Sequence, residues 1–200
     1  MIGFLLTSLV LELTPGPNMG TLASLTLERG RGAGLAAVAG IAVGLAIIGT
    51  LAAFGLTAAI AESPALYQVL RWAGILYLLY LAYDAWRDAG AGADIASKPE
   101  DAGSLFLRGL TVNLLNPKAA VFYIAVLPTF IDAARGAVLA QNLTLVAIYV
   151  AVATAVHTGV VLLAAQLRPL LVAGAGERLV RRALAIVMGI IAIWFAWETR

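Results

Sequence analysis

A run of apolar residues opens this chain and is interrupted where no soluble helix would be. Met1 to Leu11 carry no charge, nor do Met19 to Leu27, and between them lies Thr14-Pro15-Gly16-Pro17-Asn18. Neither half is long enough to cross a bilayer alone, since a span needs about 20 apolar residues; joined, they are. Proline removes a backbone donor and its ring clashes with the preceding turn, so Pro15 and Pro17 predict a helix broken near mid-membrane. Broken backbone at that depth is tolerated only where it is buried in protein or lines a wet cavity. Thr14, Pro15, Gly16, Pro17 and Asn18 are therefore candidate binding residues.

The rest of the chain has the same character. Of its 200 residues 62% are hydrophobic and 12% charged, against about 25% charged in soluble domains, and the mean hydropathy is +0.96. The apolar runs are long and continuous rather than alternating, which predicts a polytopic helical membrane protein and not a barrel. A net charge of +2 gives no footing for nucleic acid. The absence of cysteine removes disulfides, thiolate metal sites and dithiol redox chemistry. Nothing in the sequence calls for a cofactor or a bound metal. No basic segment precedes the first apolar run, so it reads as a retained span rather than a signal peptide.

Six spans are expected, at about Ile2–Leu27, Gly34–Ala61, Pro64–Trp86, Leu105–Ile131, Ala137–Leu167 and Leu179–Trp197. Ser63 is the expected N-cap and Pro64 the first residue of the third span, and Arg168-Pro169 the end of the fifth. Ala36, Gly40 and Gly44 form a small-residue stripe on span 2, read as a packing face that leaves a homodimer open. Residues 91–104 form a polar linker between units 1–90 and 105–200. Nine basic residues lie in or beside loops 1–2, 3–4 and 5–6 (Arg29, Arg31, Arg87, Lys98, Arg108, Arg168, Arg178, Arg181 and Arg182). Only Arg71, Arg135 and Arg200 lie on the other side, which puts those loops in the cytoplasm and both termini outside.

Each half holds three spans, an odd number, so the halves run in opposite orientations. In each the first span is interrupted, by Thr14 to Asn18 in one half and by Asn116-Pro117-Lys118 in the other. Paired interruptions in inverted halves point to a transporter site. Lys118 adds a charge at membrane depth, where insertion costs roughly 2.5–3.5 kcal/mol, so it faces a cavity or a partner. Glu12 is the expected partner; a buried pair holding the halves in register and a substrate-binding pair both fit. Asn18, Asn113 and Asn116 put amides beside the freed backbone. Helix N-termini suit a carboxylate, and freed carbonyls with Glu12 suit an ammonium, so together they describe a site for a zwitterion such as an amino acid.

Glu12 is also the first proton-coupling candidate, because burial removes the hydration that holds a carboxylate charged. His157, the only histidine, is the second; it serves equally as a hydrogen-bonded helix contact. Asp84 reads as a surface ion pair with Arg87. An inverted-repeat ion or metal exchanger is the alternative function, and the shortage of intramembrane carboxylates weighs against it. An enzyme is disfavoured by the lack of a metal-ligand cluster or a Ser/His/Asp arrangement.

At these motifs the sequence resembles the LysE/RhtB family of amino-acid exporters. The resemblance rests on Leu13-Thr14-Pro15-Gly16-Pro17-Asn18, on Gly30-Arg31-Gly32-Ala33-Gly34-Leu35 with Gly40 and Gly44, and on Gly74-x-x-Tyr77-Leu78. Phe106-x-x-Gly109-Leu110, Asn113-Leu114-Leu115-Asn116-Pro117-Lys118 and Leu127-Pro128-x-Phe130 complete it. It covers nearly the whole chain and implies a secondary transporter that exports an amino acid or close derivative in exchange for protons across a bacterial inner membrane. Ala82-Tyr83-Asp84 and His157 depart from the family's pattern.

Overall fold

A computed structural model describes residues 1–14, 16–55, 64–90, 101–132, 134, 136–171 and 177–198. Every regular element among them is helical. In chain order these are α1 (Ile2–Leu13), α2 (Pro17–Arg29), α3 (Arg31–Ala53), α4 (Pro64–Gly90), α5 (Ala102–Leu114) and α6 (Pro117–Val121). A π-helical turn (Phe122–Val126) and a 3₁₀ turn (Leu127–Phe130) extend α6, and α7 (Val138–Leu171) and α8 (Glu177–Glu198) follow.

Among the described residues two helices are long and apolar enough to cross a bilayer, Arg31–Ala53 and Val138–Leu170. Ala102–Leu114 with Lys118–Phe130 makes a third span if the pair, bent by 53°, is taken as one. The first interruption falls between α1 and α2 and the second between α5 and α6. Pro17 and Pro117 each take the first helical position, where the missing N–H costs nothing. Pro15 and Ser63 lie outside the described residues, as does the stretch from residue 56 where span 2 was expected to continue.

Three boundaries differ from expectation, each for a local reason. The loop expected between Leu27 and Gly34 shrinks to one residue, because Gly30 at φ 88° turns α2 directly into α3. Helix α7 runs through Pro169 to Leu171; so close to its end, the proline forfeits only one terminal-turn bond. After its break span 4 continues as α-helix only over Pro117–Val121. Pro128 offers no N–H to the carbonyl of Ile124, and the chain widens into the π turn before tightening into the 3₁₀ turn.

Helix α1 wears its polarity inside out. Its buried residues are Phe4, Ser8 and Glu12, one per turn, while Leu5, Leu6, Leu9, Val10 and Leu13 are exposed. That is the pattern of a helix with lipid outside and a polar partner within. The partner is α7, whose Tyr149, Ala153, His157 and Val161 form a fully buried row at four-residue spacing. Helix α7 also packs on α2 and α3, α4 packs on α8, and α3 packs most closely on α5. This last contact is backbone against backbone. A Cβ on Gly40 would lie 2.0 Å from the Phe106 carbonyl oxygen, and one on Gly109 would lie 2.1 Å from that of Ala37. The stripe read from span 2 is therefore a packing face at Gly40 and Gly44, and Gly109 answers it from the opposite helix.

Two contacts tie the helix ends. Arg168 Nε donates to the Leu27 carbonyl at 3.0 Å and its Nη2 to that of Glu28 at 3.4 Å, closing the end of α2 against α7. The Arg182 guanidinium sits 5.3 Å from the centroid of the Trp86 ring, joining α8 to α4. The side chain of Asp84 lies outside the described residues.

Candidate functional site

The two interruptions face each other across a small buried cavity. It is lined by Glu12, Gly16, Asn18, Met19 and Leu45 from the first half, and by Asn116, Lys118, Ala119, Tyr149 and His157 from the second. Its volume, about 10 Å³, is close to the room one water molecule needs, about 10–15 Å³.

Each wall follows from its sequence. Helix α1 ends at Leu13 because the next residues cannot continue it; the Thr14 N–H is shared between Val10 O and Leu11 O, so the carbonyls at this end keep acceptor capacity. The Lys118 ammonium takes up two of them, donating to Leu11 O at 2.6 Å and Thr14 O at 2.8 Å. A cation at a helix C-terminus also opposes the dipole there. Lys118 is placed by Asn116, whose side-chain oxygen caps α6 by accepting from the Lys118 backbone N–H at 3.1 Å. Gly16 is extended, at φ −166°. A Cβ there would rest 3.5 Å from Lys118 Cδ, an ordinary contact.

Glu12 is buried to 5% exposure and held from α7. The Tyr149 hydroxyl donates to its Oε1 at 2.5 Å, and His157 Nε2 lies 3.1 Å from its Oε2, off the hydrogen-bond direction. His157 Nδ1 has no partner among the described residues. Tyr149 is fixed by its ring, stacked on Phe122 with centroids 3.8 Å apart, and the Tyr123 hydroxyl donates to the Leu45 carbonyl at 3.0 Å. The expected Glu12–Lys118 pair does not form. The carboxylate goes to Tyr149 and His157, and the ammonium goes to backbone oxygens that the break itself exposes.

Behind the cavity Asn18 Nδ2 donates to Asn113 Oδ1 at 3.0 Å, joining α2 to α5 across 95 residues of sequence. The other halves of both amides, Asn18 Oδ1 and Asn113 Nδ2, are buried and unpartnered among the described residues. A Cβ on Gly44 would stand 2.8 Å from Asn113 Nδ2, so this glycine makes the space the amide occupies.

Of the residues singled out from sequence, Glu12, Gly16, Asn18, Asn116, Lys118 and His157 line the cavity. Asn113 lies one contact behind it. Pro17 begins α2 beside it, and Pro117 begins α6, its side chain outside the described residues. Thr14 faces away, its hydroxyl donating to Val10 O at 2.9 Å. Tyr149, Met19, Leu45 and Ala119 were missed. For Tyr149 a signal existed, since it lies two turns before His157 on the same side of one helix.

A family model described as LysE type translocator matches residues 9–199. The homoserine/homoserine lactone efflux protein of Salmonella typhimurium is 35% identical over 165 residues, covering 82% of this chain and 80% of that protein. The leucine efflux protein of Klebsiella pneumoniae is 32% identical over 133 residues, covering 64% of this chain and 62% of that one. A second homoserine/homoserine lactone efflux protein, from Salmonella typhi, is 36% identical over 129 residues, covering 64% and 63%. The chain thus spans less than two thirds of the length of these last two relatives. No solved structure matches. The chain belongs to the LysE type translocator family, and the three relatives just described carry the names of amino-acid efflux proteins.

Proposed function

We propose that this LysE-type translocator exports a neutral amino acid or a close derivative across the bacterial inner membrane, by proton antiport and alternating access. The observation that carries the reading is the convergence of both helix interruptions on one buried site holding a carboxylate (Glu12), an ammonium (Lys118) and spare amide atoms (Asn18 and Asn113). A zwitterion needs those three kinds of group. Its carboxylate would take Lys118 from the α1 carbonyls and use the first-turn N–H groups of α2; its ammonium would take the carbonyls so released, with Glu12 beside them. Homoserine and leucine, named for the relatives, are the first substrates to try.

The cavity is too small for either. Binding would require the walls to part, and in this reading the interrupted spans 1 and 4 rock around the shared site. Residues 1–90 and 105–200 act as inverted three-span repeats joined by the linker 91–104, with both termini outside and loops 1–2, 3–4 and 5–6 in the cytoplasm. The helix contacts suit this plan. Exchanging the halves maps the α1/α2–α7 contact onto α5/α6–α3, and maps the α3–α7 and α4–α8 contacts onto themselves. Glu12, held by Tyr149 and flanked by His157, is the proton carrier.

Everted membrane vesicles test the reading. With an imposed pH gradient, acid inside, labelled homoserine or leucine should accumulate, and collapse of the gradient should release it. No gradient-dependent uptake across a broad amino-acid panel would sink the proposal.

A further inference from the structure

A second polar cavity lies away from the Glu12 site, between α4 and α5. It measures about 260 Å³ and is lined by Tyr77, Tyr80 and Leu81 of α4 and by Ser104, Leu107, Arg108 and Thr111 of α5. Ser104, Arg108 and Thr111 recur at four- and three-residue steps, so one face of α5 presents a guanidinium between two hydroxyls. The opposite face is consumed by the backbone contact with α3 at Gly109. Arg108 Nε is buried and has no hydrogen-bond partner among the described residues, and Arg108 forms no ion pair among them. Asp101, the N-cap of α5, accepts from the Ser104 N–H at 2.7 Å.

The cavity opens outward. Tyr80 and Leu107 on its rim are 58% and 57% exposed, and Leu76 and Leu114, deeper along the same two helices, are exposed as well. In a membrane protein this surface meets lipid tails. A helical side chain leans toward its helix N-terminus, so Arg108 reaches from α5 toward the linker end and the headgroup layer. Tyrosines at that level supply amphipathic rings suited to the same boundary. A basic pocket between spans, with an apolar track leading inward from it, has the chemistry of a site for a phosphate headgroup and its acyl chains.

We propose that Arg108, with Ser104 and Thr111, binds the phosphate of an anionic phospholipid whose acyl chains lie along Leu76, Leu107 and Leu114. The guanidinium supplies the buried Nε–H and its remaining donors to the phosphate oxygens, and the hydroxyls complete the shell. Such a lipid fills the gap between α4 and α5, which touch at few other points. The proposal does not depend on which substrate is exported.

The test uses the purified full-length chain in vesicles of equal parts phosphatidylglycerol and phosphatidylcholine, with lipids retained after detergent extraction counted by native mass spectrometry. Wild type should retain phosphatidylglycerol over phosphatidylcholine by about fivefold, the order expected of one cation at the membrane surface. Arg108→Gln should erase the preference and Arg108→Lys should keep most of it. The double variant Ser104→Ala/Thr111→Val should weaken it, and decides the matter with Arg108→Lys if Arg108→Gln does not fold. Absence of a preference in wild type, or an undiminished preference in both Arg108→Gln and the double variant, overturns the proposal. So does displacement of the lipid by millimolar inorganic phosphate, which would mark a site for a soluble anion.

Discussion

Replacing Lys118 by methionine separates the two roles its ammonium could have. The substitution removes donors 2.6 Å from Leu11 O and 2.8 Å from Thr14 O. Hydrogen bonds to charged groups contribute about 1.5–3 kcal/mol each, so the loss is about 3–6 kcal/mol. Against it stands the insertion cost that the half-buried ammonium no longer incurs, at most about 2.5–3.5 kcal/mol. The two oppose each other, and the net change runs from about −0.5 to about 3.5 kcal/mol of destabilisation. Lys118→Met should therefore insert and unfold thermally within several degrees of wild type, while amino-acid counterflow in proteoliposomes falls to background. Lys118→Arg, which keeps the charge but not the shape of the site, should retain stability and lose most transport. Counterflow by Lys118→Met at the wild-type rate would show that the ammonium only closes a helix end.

Three further outcomes follow from the same geometry. Gly40→Ala and Gly109→Ala force a methyl into backbone at 2.0 and 2.1 Å and should destabilise by about 1–3 kcal/mol or more; Gly32→Ala, with nothing within 4 Å, should leave the melting temperature unchanged or raise it. Asn18→Ala and Asn113→Ala should each impair transport, and a double-mutant cycle on thermal stability should return a coupling of about 0.5–3 kcal/mol, since the two amides are bonded to each other. Tyr149→Phe keeps the ring on Phe122 and deletes only the hydroxyl on Glu12; uptake driven by a pH gradient should fall about tenfold or more, with exchange in the absence of a gradient less affected.

The helix interruptions were legible because prolines and a lysine inside apolar runs are local anomalies that need no knowledge of the fold. What each group touches was not. Lys118 and Glu12 were expected to pair, as the two charges at depth in the interrupted spans. The sequence shows charged side chains but does not show backbone carbonyls with acceptor capacity to spare, and the break after Leu13 presents two of them, Leu11 O and Thr14 O. Tyr149 was passed over because one tyrosine in an apolar span looks like core; its meaning comes from Glu12, 137 residues away. Gly40 and Gly44 announced a close helix contact, but a stripe on one helix cannot name its partner, and Gly109 gave no stripe of its own. Pro169 misled in the other direction. A proline ends a helix only when the bond it removes is needed, and near a terminus it is not.

The ties between the halves are of two chemical kinds, and the difference bears on transport. Lipid tails are as apolar as leucine, so burial of leucine does little to hold membrane helices together; close backbone packing and polar links do most of it. The Gly40 and Gly109 contacts belong to the first sort: they have no donor or acceptor that a ligand could replace, and they bind α3 to α5 as one body. The links of Lys118 to the α1 carbonyls, of Asn18 to Asn113 and of Glu12 to Tyr149 belong to the second, and each ends on atoms that a carboxylate or an ammonium can satisfy as well. A cycle that opens the cavity must break links of the second kind while sparing the first. A zwitterion entering the site would replace the bonds it breaks, so opening would be far less costly with substrate than without it. That asymmetry is what a coupled exporter needs, because an empty carrier that opened as readily would leak protons.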